Sequence, residues 1–411
     1  MSTSRLSTGT RTLDLRTGRP VWRAYRAPAV PCTPLRRDVR TDVLVVGMGI
    51  SGAMVAELLT AAGLGVVLID RRGPMLGSTP ASTALVQHEI DVPIRALARI
   101  VGRARAEQAW RRSRLAVANL SARIDALGIA CGKVDRNSLL LTGNAMGPGA
   151  LRGEATARRA AGLDAEYLTR SVLKERFGLA RAGAILTPGN LALDPRQLTA
   201  GLLRRCIERG ARCHAPVEAT AIDAGRTEVS VTTAAGPAIS ASHAILATGY
   251  EVMQLLPATT HAVTSTWAIA TRPQPRALWS EEAFIWEASD PYLYLRTTGD
   301  GRVICGGEDE PFSDESARDA LIPHKTEQLV AKLGRLLPRV DPQAEFAWAG
   351  SFGTTRTGLP LIGALPQHPR VHAVLGYGGN GITFSRIAAE LVRADLTGAV
   401  DTDAHLFALP M

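Results

Sequence analysis

The chain has 411 residues, 46% of them apolar and 5% aromatic, with 39 glycines and 24 prolines. That is enough for two or three cores, in a composition that suits a turn-rich α/β protein. The net charge of +9 would draw a polyanion only if the basic residues clustered, but they are scattered and nearly all arginine, which argues against a nucleic-acid partner. The five cysteines are odd in number and include no CxxC pair. They exclude a disulfide framework or a zinc site and point to a reducing, cytoplasmic setting.

In chain order, residues 1–40 carry Pro, Arg and Thr without sustained periodicity, save the apolar pair Val21 and Trp22, and are expected as an arm laid on the body. Nothing in them reads as a secretory signal. Between Val43 and Ile69 only Glu57 is charged, a stretch that hydropathy alone would read as a membrane span. Gly47, Gly49, Gly52, Gly63 and Gly65 instead divide it into strand 42–46, helix 51–62 and strand 65–69, a βαβ unit, so no transmembrane segment is expected.

From Pro93 to Leu127, Ile94, Leu97, Ile100, Val101, Leu115, Leu120 and Ile124 recur at helical intervals, predicting two helices or one kinked at Gly102. The basic run Arg103–Arg114 reads as a solvated face of that helix. A Gly/Pro break at 143–149 precedes a further helical segment, and Pro195 opens a helix running to about Glu208. Strands are expected at 217–222, 229–233 and 244–249, and 261–307 is β-rich, with clean alternation in Tyr292-Leu-Tyr-Leu-Arg296. A helix at 315–337 and a strand, turn and helix over 371–397 close the chain.

The chemistry starts at Gly47-Met-Gly-Ile-Ser-Gly52, a GxGxxG between strand and helix. Its first Gly turns the chain, the second admits a pyrophosphate and the third lets helix pack on strand, while the helix N-terminus favours the diphosphate charge. Asp70 ends the next strand, placed to accept hydrogen bonds from a ribose and to repel a 2′-phosphate, which leaves NAD or FAD; Arg71 and Arg72 weaken that exclusion slightly. Further Gly-rich elements lie far downstream: Gly77-Ser-Thr-Pro-Ala-Ser-Thr-Ala84, Ala247-Thr-Gly249, Gly358-Leu-Pro-Leu-Ile-Gly363 and Gly376-Tyr-Gly-Gly-Asn-Gly-Ile382. Turns that must all return to one cofactor favour the longer FAD over NAD.

With these motifs, together with Ala192-Leu-Asp-Pro195 and Gly301-Arg-Val-Ile-Cys-Gly-Gly307, residues 42 to 398 resemble the D-amino-acid oxidase-like flavoproteins, relatives of glycine, sarcosine and γ-glutamylputrescine oxidases. The resemblance implies an α/β fold: a Rossmann-like FAD-binding domain with a discontinuous antiparallel β-sheet substrate domain. In residues this gives the arm 1–40, FAD-binding parts at 41–95, 191–260 and 346–411, a helical and first substrate part at 96–190, and a second substrate part at 261–345.

The family likeness further implies FAD with its adenosine at Gly47, Gly49, Ile50, Ser51, Gly52, Asp70 and Arg71, and with Val217 touching the adenine through its backbone. Ser78, Thr79, Ser82, Thr83 and Ala84 would reach the ring, with Ala247, Thr248, Gly249 and Gly358 lining the way. Gly376, Gly378, Gly379, Asn380, Gly381 and Ile382 would face the flavin pyrimidine and ribityl chain.

Two departures bear on substrate. Where the glycine oxidase branch anchors a carboxylate with an arginine after Trp-Ala-Gly, this chain follows Trp348-Ala-Gly350 with Phe352; a second arginine of the closing turn is Gly379 here. An α-carboxylate would then be poorly paired, at a cost of ~2–5 kcal/mol, so an amine, a secondary amine or a differently oriented amino acid is expected. Tyr292, Tyr294, Arg296 and Arg356 are candidate substitutes, and His88 beside Glu89 is a candidate for influencing proton removal. The cysteine that binds flavin covalently in the sarcosine oxidase branch has no counterpart near Ser351, so the FAD is expected to be non-covalent, and no metal is called for.

The function these features predict is oxidation of the C–N bond of a small-molecule amine or amino acid by hydride transfer to FAD. Imine hydrolysis follows, with oxygen or another electron acceptor taking the electrons. The alternatives are an RNA-modifying flavoprotein and a non-catalytic FAD-binding subunit.

Overall fold

The computed structural model describes residues 6–7, 14–251, 262–375 and 377–409. Two large sheets organise them. The first is built on the parallel strands Val39–Val46, Val66–Ile69, Arg212–His214, Ala238–Leu246 and His368–Leu375. Val43, Leu44, Val45, Val66, Val67, Leu68 and Ile69 are all buried, as a parallel strand covered on both faces requires. Helix Ile50–Ala61 follows the first strand and packs against helices Pro195–Glu208 and Gly381–Leu396.

The single charge in that apolar run has an explanation. Glu57 is 1% exposed and accepts from Arg123 Nε at 2.9 Å, on helix Arg103–Leu127, and from Arg209 Nη1 at 2.6 Å, which caps the end of helix Pro195–Glu208. The expectation of a solvated basic face at 103–114 holds only in part. Arg112 is buried and pairs with Glu390, Asp401 and Asp403, fastening helix Arg103–Leu127 to the end of the chain. Gly102, at φ +87°, separates that helix from Ile94–Val101, which settles the choice between two helices and one kinked helix.

The second sheet has ten strands, among them Ala262–Thr271, Phe284–Glu287, Leu293–Thr297, Val303–Glu310 and Ala344–Thr354. It is antiparallel except where Phe284–Glu287 runs parallel to Val134–Leu141. Glu166–Thr169 and Gly183–Ala192 are strands within the segment after 149 read as helical from sequence, where short Leu/Ile runs do not distinguish a buried strand from a buried helix, and Val134–Leu141 is a strand where no element was assigned. Strand Ala344–Thr354 pairs along its whole length with Ala262–Thr271, so the second sheet continues past the expected boundary at 345/346.

The first forty residues are more than an arm over the surface. Arg16–Gly18 adds an edge strand to the second sheet beside Trp348–Gly350, and Val21 and Trp22 are 0% and 2% exposed. Among the described residues no helix is long and apolar enough to cross a membrane.

Candidate functional site

A single continuous groove runs between the sheets, lined at one end by Gly47, Gly49, Ile50, Ser51, Asp70 and Arg71 and at the other by Tyr292, Tyr294, Trp286 and Phe352. Between them lie Ser78, Thr79, Ser82, Thr83, Ala84, Val217, Ala247, Thr248 and Gly249, with Gly378, Gly379, Asn380, Gly381 and Ile382 facing them. Turns more than 300 residues apart in sequence therefore share one wall. Their joint is direct: Ser51 Oγ and Ser385 Oγ, each near the start of its helix, are 2.8 Å apart.

The glycine turn is built for close approach. Gly47 sits at φ +114°, a left-handed conformation that other residues resist, and a Cβ on Gly52 would stand 1.9 Å from the Gly47 carbonyl oxygen. Gly52 therefore packs helix onto strand and does not itself line the groove. Asp70 Oδ2 accepts from Met48 N at 2.8 Å, and Oδ1 accepts from the Arg72 and Gly73 amides at 2.8 and 2.9 Å, so the carboxylate is fixed at the groove wall. Arg71 and Arg72 both pair with Glu251, so a carboxylate already meets the two cations that blurred the argument against a 2′-phosphate. Val217 lines the groove as expected, and its N–H donates to Asp70 O at 2.8 Å.

The loop 77–84 is positioned from beneath. Trp22 Nε1 donates to Ser82 O at 2.6 Å, Trp348 Nε1 to Ala81 O at 2.9 Å, and Arg296 Nη1 to Ala84 O at 2.6 Å. This corrects the expectation for Arg296. Its guanidinium also donates to Leu193 O and Thr297 O, lies over the Trp22 ring at 5.3 Å and is 3% exposed, away from the groove lining. Burial without a carboxylate partner pulls it down to about 9. It holds a loop rather than a substrate.

Three other sequence candidates fall outside the groove. Arg356 is exposed. Gly358 does not line the groove; a Cβ there would meet Val92 at 2.7 Å, so its role is packing. His88 is 2% exposed with Nε2 3.1 Å from Pro188 O, and burial lowers its proton affinity; Glu89 beside it is held by Ser138 and Arg158. Gly376 lies outside the described residues.

Sequence reasoning missed Asp91, Thr266, Tyr250 and Trp286, which also line the groove. None belongs to a motif and each arrives from a different element, although Tyr250 follows the singled-out Gly249 and Trp286 lies on a strand beside Tyr294. Asp91 Oδ2 accepts from Gly379 N at 2.8 Å, while Asn380 Nδ2 donates to Glu89 O at 2.8 Å, so the closing turn is stitched onto segment 87–91. Gly306 makes room for a tyrosine: a Cβ there would meet the Tyr294 ring and hydroxyl at 2.3–2.7 Å.

The groove suits a long dinucleotide. Ser78 Oγ and Thr248 Oγ1, both on its wall, are buried without a hydrogen-bond partner, as groups awaiting a polar ligand would be. A diphosphate would meet the amide-rich start of helix Ile50–Ala61 at a turn where a Cβ on Gly47 or Gly52 would clash with backbone.

Comparison with known proteins agrees with this geometry. Residues 42–394 match the family described as DAO, FAD dependent oxidoreductase, and the chain belongs to that family. The fold is shared with glycine oxidase from Geobacillus kaustophilus, at a TM-score of 0.74 and 20% identity over 90% of this chain and 99% of that one. It is shared likewise with L-proline dehydrogenase from P. horikoshii, at 0.72 and 17% over 90% and 97%.

Among curated proteins, the tRNA 5-methylaminomethyl-2-thiouridine biosynthesis bifunctional protein MnmC of Ralstonia nicotianae is 26% identical over 92% of this chain and 60% of its own length. Gamma-glutamylputrescine oxidoreductase of Escherichia coli is 26% identical over 57% of this chain and 54% of its own. The chain thus spans about 60% of the length of the tRNA-biosynthesis relative. It is an FAD-dependent oxidoreductase.

Proposed function

We propose that the enzyme oxidises the C–N bond of a small amine or amino acid, releasing an imine that hydrolyses in water, with oxygen or another acceptor reoxidising the cofactor. The observation that carries this reading is the far end of the groove, where Trp286, Tyr292, Tyr294 and Phe352 wall a pocket continuous with the flavin-binding part. FAD, when bound, supplies the hydride acceptor. The protein's share is positioning and exclusion of water.

The aromatic walls exclude solvent and orient the substrate carbon. Tyr292 is fixed by donating its hydroxyl to Asp309 Oδ2 at 2.6 Å, and its ring lies 5.8 Å from that of Tyr294. Both hydroxyls are raised above the ordinary tyrosine value, by burial first, so both stay protonated donors at neutral pH. No nucleophile or metal is required, and among the described residues no group of ligands could hold a metal ion. The absence of Arg at 352 and 379 supports an amine over an α-amino acid bound by its carboxylate. We assign the first sheet with its helices to FAD binding, the second to substrate, and the protein to the cytoplasm.

The test is anaerobic: the purified yellow protein is mixed with a panel of amines and amino acids, and the flavin absorbance is followed. Bleaching by members of the panel is expected. Flavin that dithionite reduces but no amine reduces would leave the chain as a non-catalytic FAD-binding subunit.

A second reading, action on a modified tRNA base, is favoured by the name of the MnmC relatives. It requires salt-sensitive tRNA binding, with affinity falling steeply between 50 and 200 mM salt, by ~10³-fold or more. Filter binding at the two concentrations separates the two.

A further inference from the structure

Among the described residues, the substrate end of the groove carries acidic groups and no basic residue lines it. Asp91 opens onto the groove, and Asp309 stands behind its wall, bonded through Oδ2 to Tyr292. The other Asp309 oxygen, Oδ1, is buried without a hydrogen-bond partner. The basic residues that line the groove, Arg71 and Arg72, are at the adenosine end and face Glu251. Lys325 lies near Asp309, but its ammonium pairs with Glu310 at 2.6 Å and lies 4.8 Å from the centre of the Trp267 ring.

Position 379 reinforces the point. A side chain added there would meet the Asp91 carboxylate at 3.0 Å, so the space over the closing turn is held by an anion. Around it stand Tyr250, Tyr292, Tyr294, Trp286 and Phe352, whose π faces attract a cation further.

We propose that this end of the groove is a cation-binding pocket, and that the amine oxidised in it carries a second protonated nitrogen, as a diamine or polyamine does, held between Asp91 and Asp309. This rests on the reading that the enzyme oxidises C–N bonds. The second ammonium fills the position a carboxylate anchor would occupy, donating to the Asp91 carboxylate on the groove wall and drawn by the charge of Asp309 behind Tyr292. The nitrogen undergoing oxidation is left towards the flavin-facing turn. Burial raises the Asp309 carboxyl and the charge of Asp91 raises it further, to about 6, while Thr266, Tyr292 and Lys325 oppose the shift. A bound cation reverses that pressure and keeps it ionised.

The test uses the FAD-loaded enzyme and matched substrates: a linear diamine, the monoamine of equal length, and the corresponding ω-amino acid. KM for the diamine should lie at least tenfold below that of the monoamine, and the ω-amino acid should be the poorest. Asp309→Asn should raise KM for the diamine at least tenfold more than it raises KM for the monoamine, and an equal rise for the two overturns the pocket. The diamine KM should also climb as pH falls through about 6 in the wild type and not in the variant.

Asp91→Asn, read by the visible-spectrum shift of the oxidised flavin on titration with a non-oxidisable bis-quaternary diammonium salt, repeats the test without turnover. A weakened shift supports the pocket and an unchanged one overturns it. If monoamines or amino acids bleach the flavin and diamines do no better, the cation pocket is wrong and amine oxidation stands. If no amine of any class bleaches it, amine oxidation itself has failed.

Discussion

Asp309 shows how one residue can couple stability to ligand binding. Its folded-state affinity for a proton is raised, by burial first, to about 6 from an ordinary value near 4. A carboxyl raised in this way destabilises the fold where it must ionise. Without ligand, stability should therefore fall as pH rises from about 4 to about 6 and carry a constant penalty above that. Asp309→Asn keeps an oxygen to accept from Tyr292 and removes the charge, so the ligand-free variant should be more stable than wild type by roughly 1–3 kcal/mol at pH 8, and no more stable at pH 4. Urea titrations at the two pH values check it, and a gain of equal size at both would refute the assignment. Arg296 teaches the opposite lesson: a buried guanidinium in a flavoprotein invites a role as anchor, but its Nε and Nη1 donate to the carbonyls of 84, 193 and 297.

At the scale of elements, the loop 77–84 is the piece most dependent on its neighbours, because it contains only a single turn of regular structure of its own. Its shape comes from Trp22, Trp348 and Arg296, which belong to the N-terminal segment and to two strands of the second sheet. Trp22→Ala removes a buried indole and the hydrogen bond to Ser82 O, so a loss of ~3–5 kcal/mol is expected. Flavin content after gel filtration should drop alongside, because the unsupported loop lines the groove. A variant equally destabilised elsewhere, such as Leu333→Ala in the second sheet's own core, should retain its flavin better. Equal flavin loss from the two variants would show that the segment holds the fold and not the site.

Across the whole molecule, the cofactor groove lies where the two sheets meet, so ligand binding and folding are linked. FAD at 100 times its dissociation constant should stabilise the protein by about 2.7 kcal/mol, read as a Tm that rises with added FAD and is unmoved by added NAD. The excess of positive charge does not gather at the groove, whose substrate end is acidic. Binding there should accordingly be weakened, not strengthened, for anionic ligands.

Much of this protein was legible in the chain itself. The βαβ unit, the GxGxxG turn with Asp70 and the closing Gly-rich turn rest on local rules: glycine where the backbone must approach a phosphate, branched residues where a parallel strand is buried on both faces. Those rules act over a few residues and so leave a mark in sequence. Tertiary structure alone decided which polar groups line the groove. Asp91, Thr266 and Trp286 meet there from separate segments with no spacing to announce them, Asp309 stands behind them on Tyr292, and Arg296, on the expected strand, turns its charge into the scaffold. A side chain's direction depends on what packs against it, and those partners lie tens to hundreds of residues away in sequence.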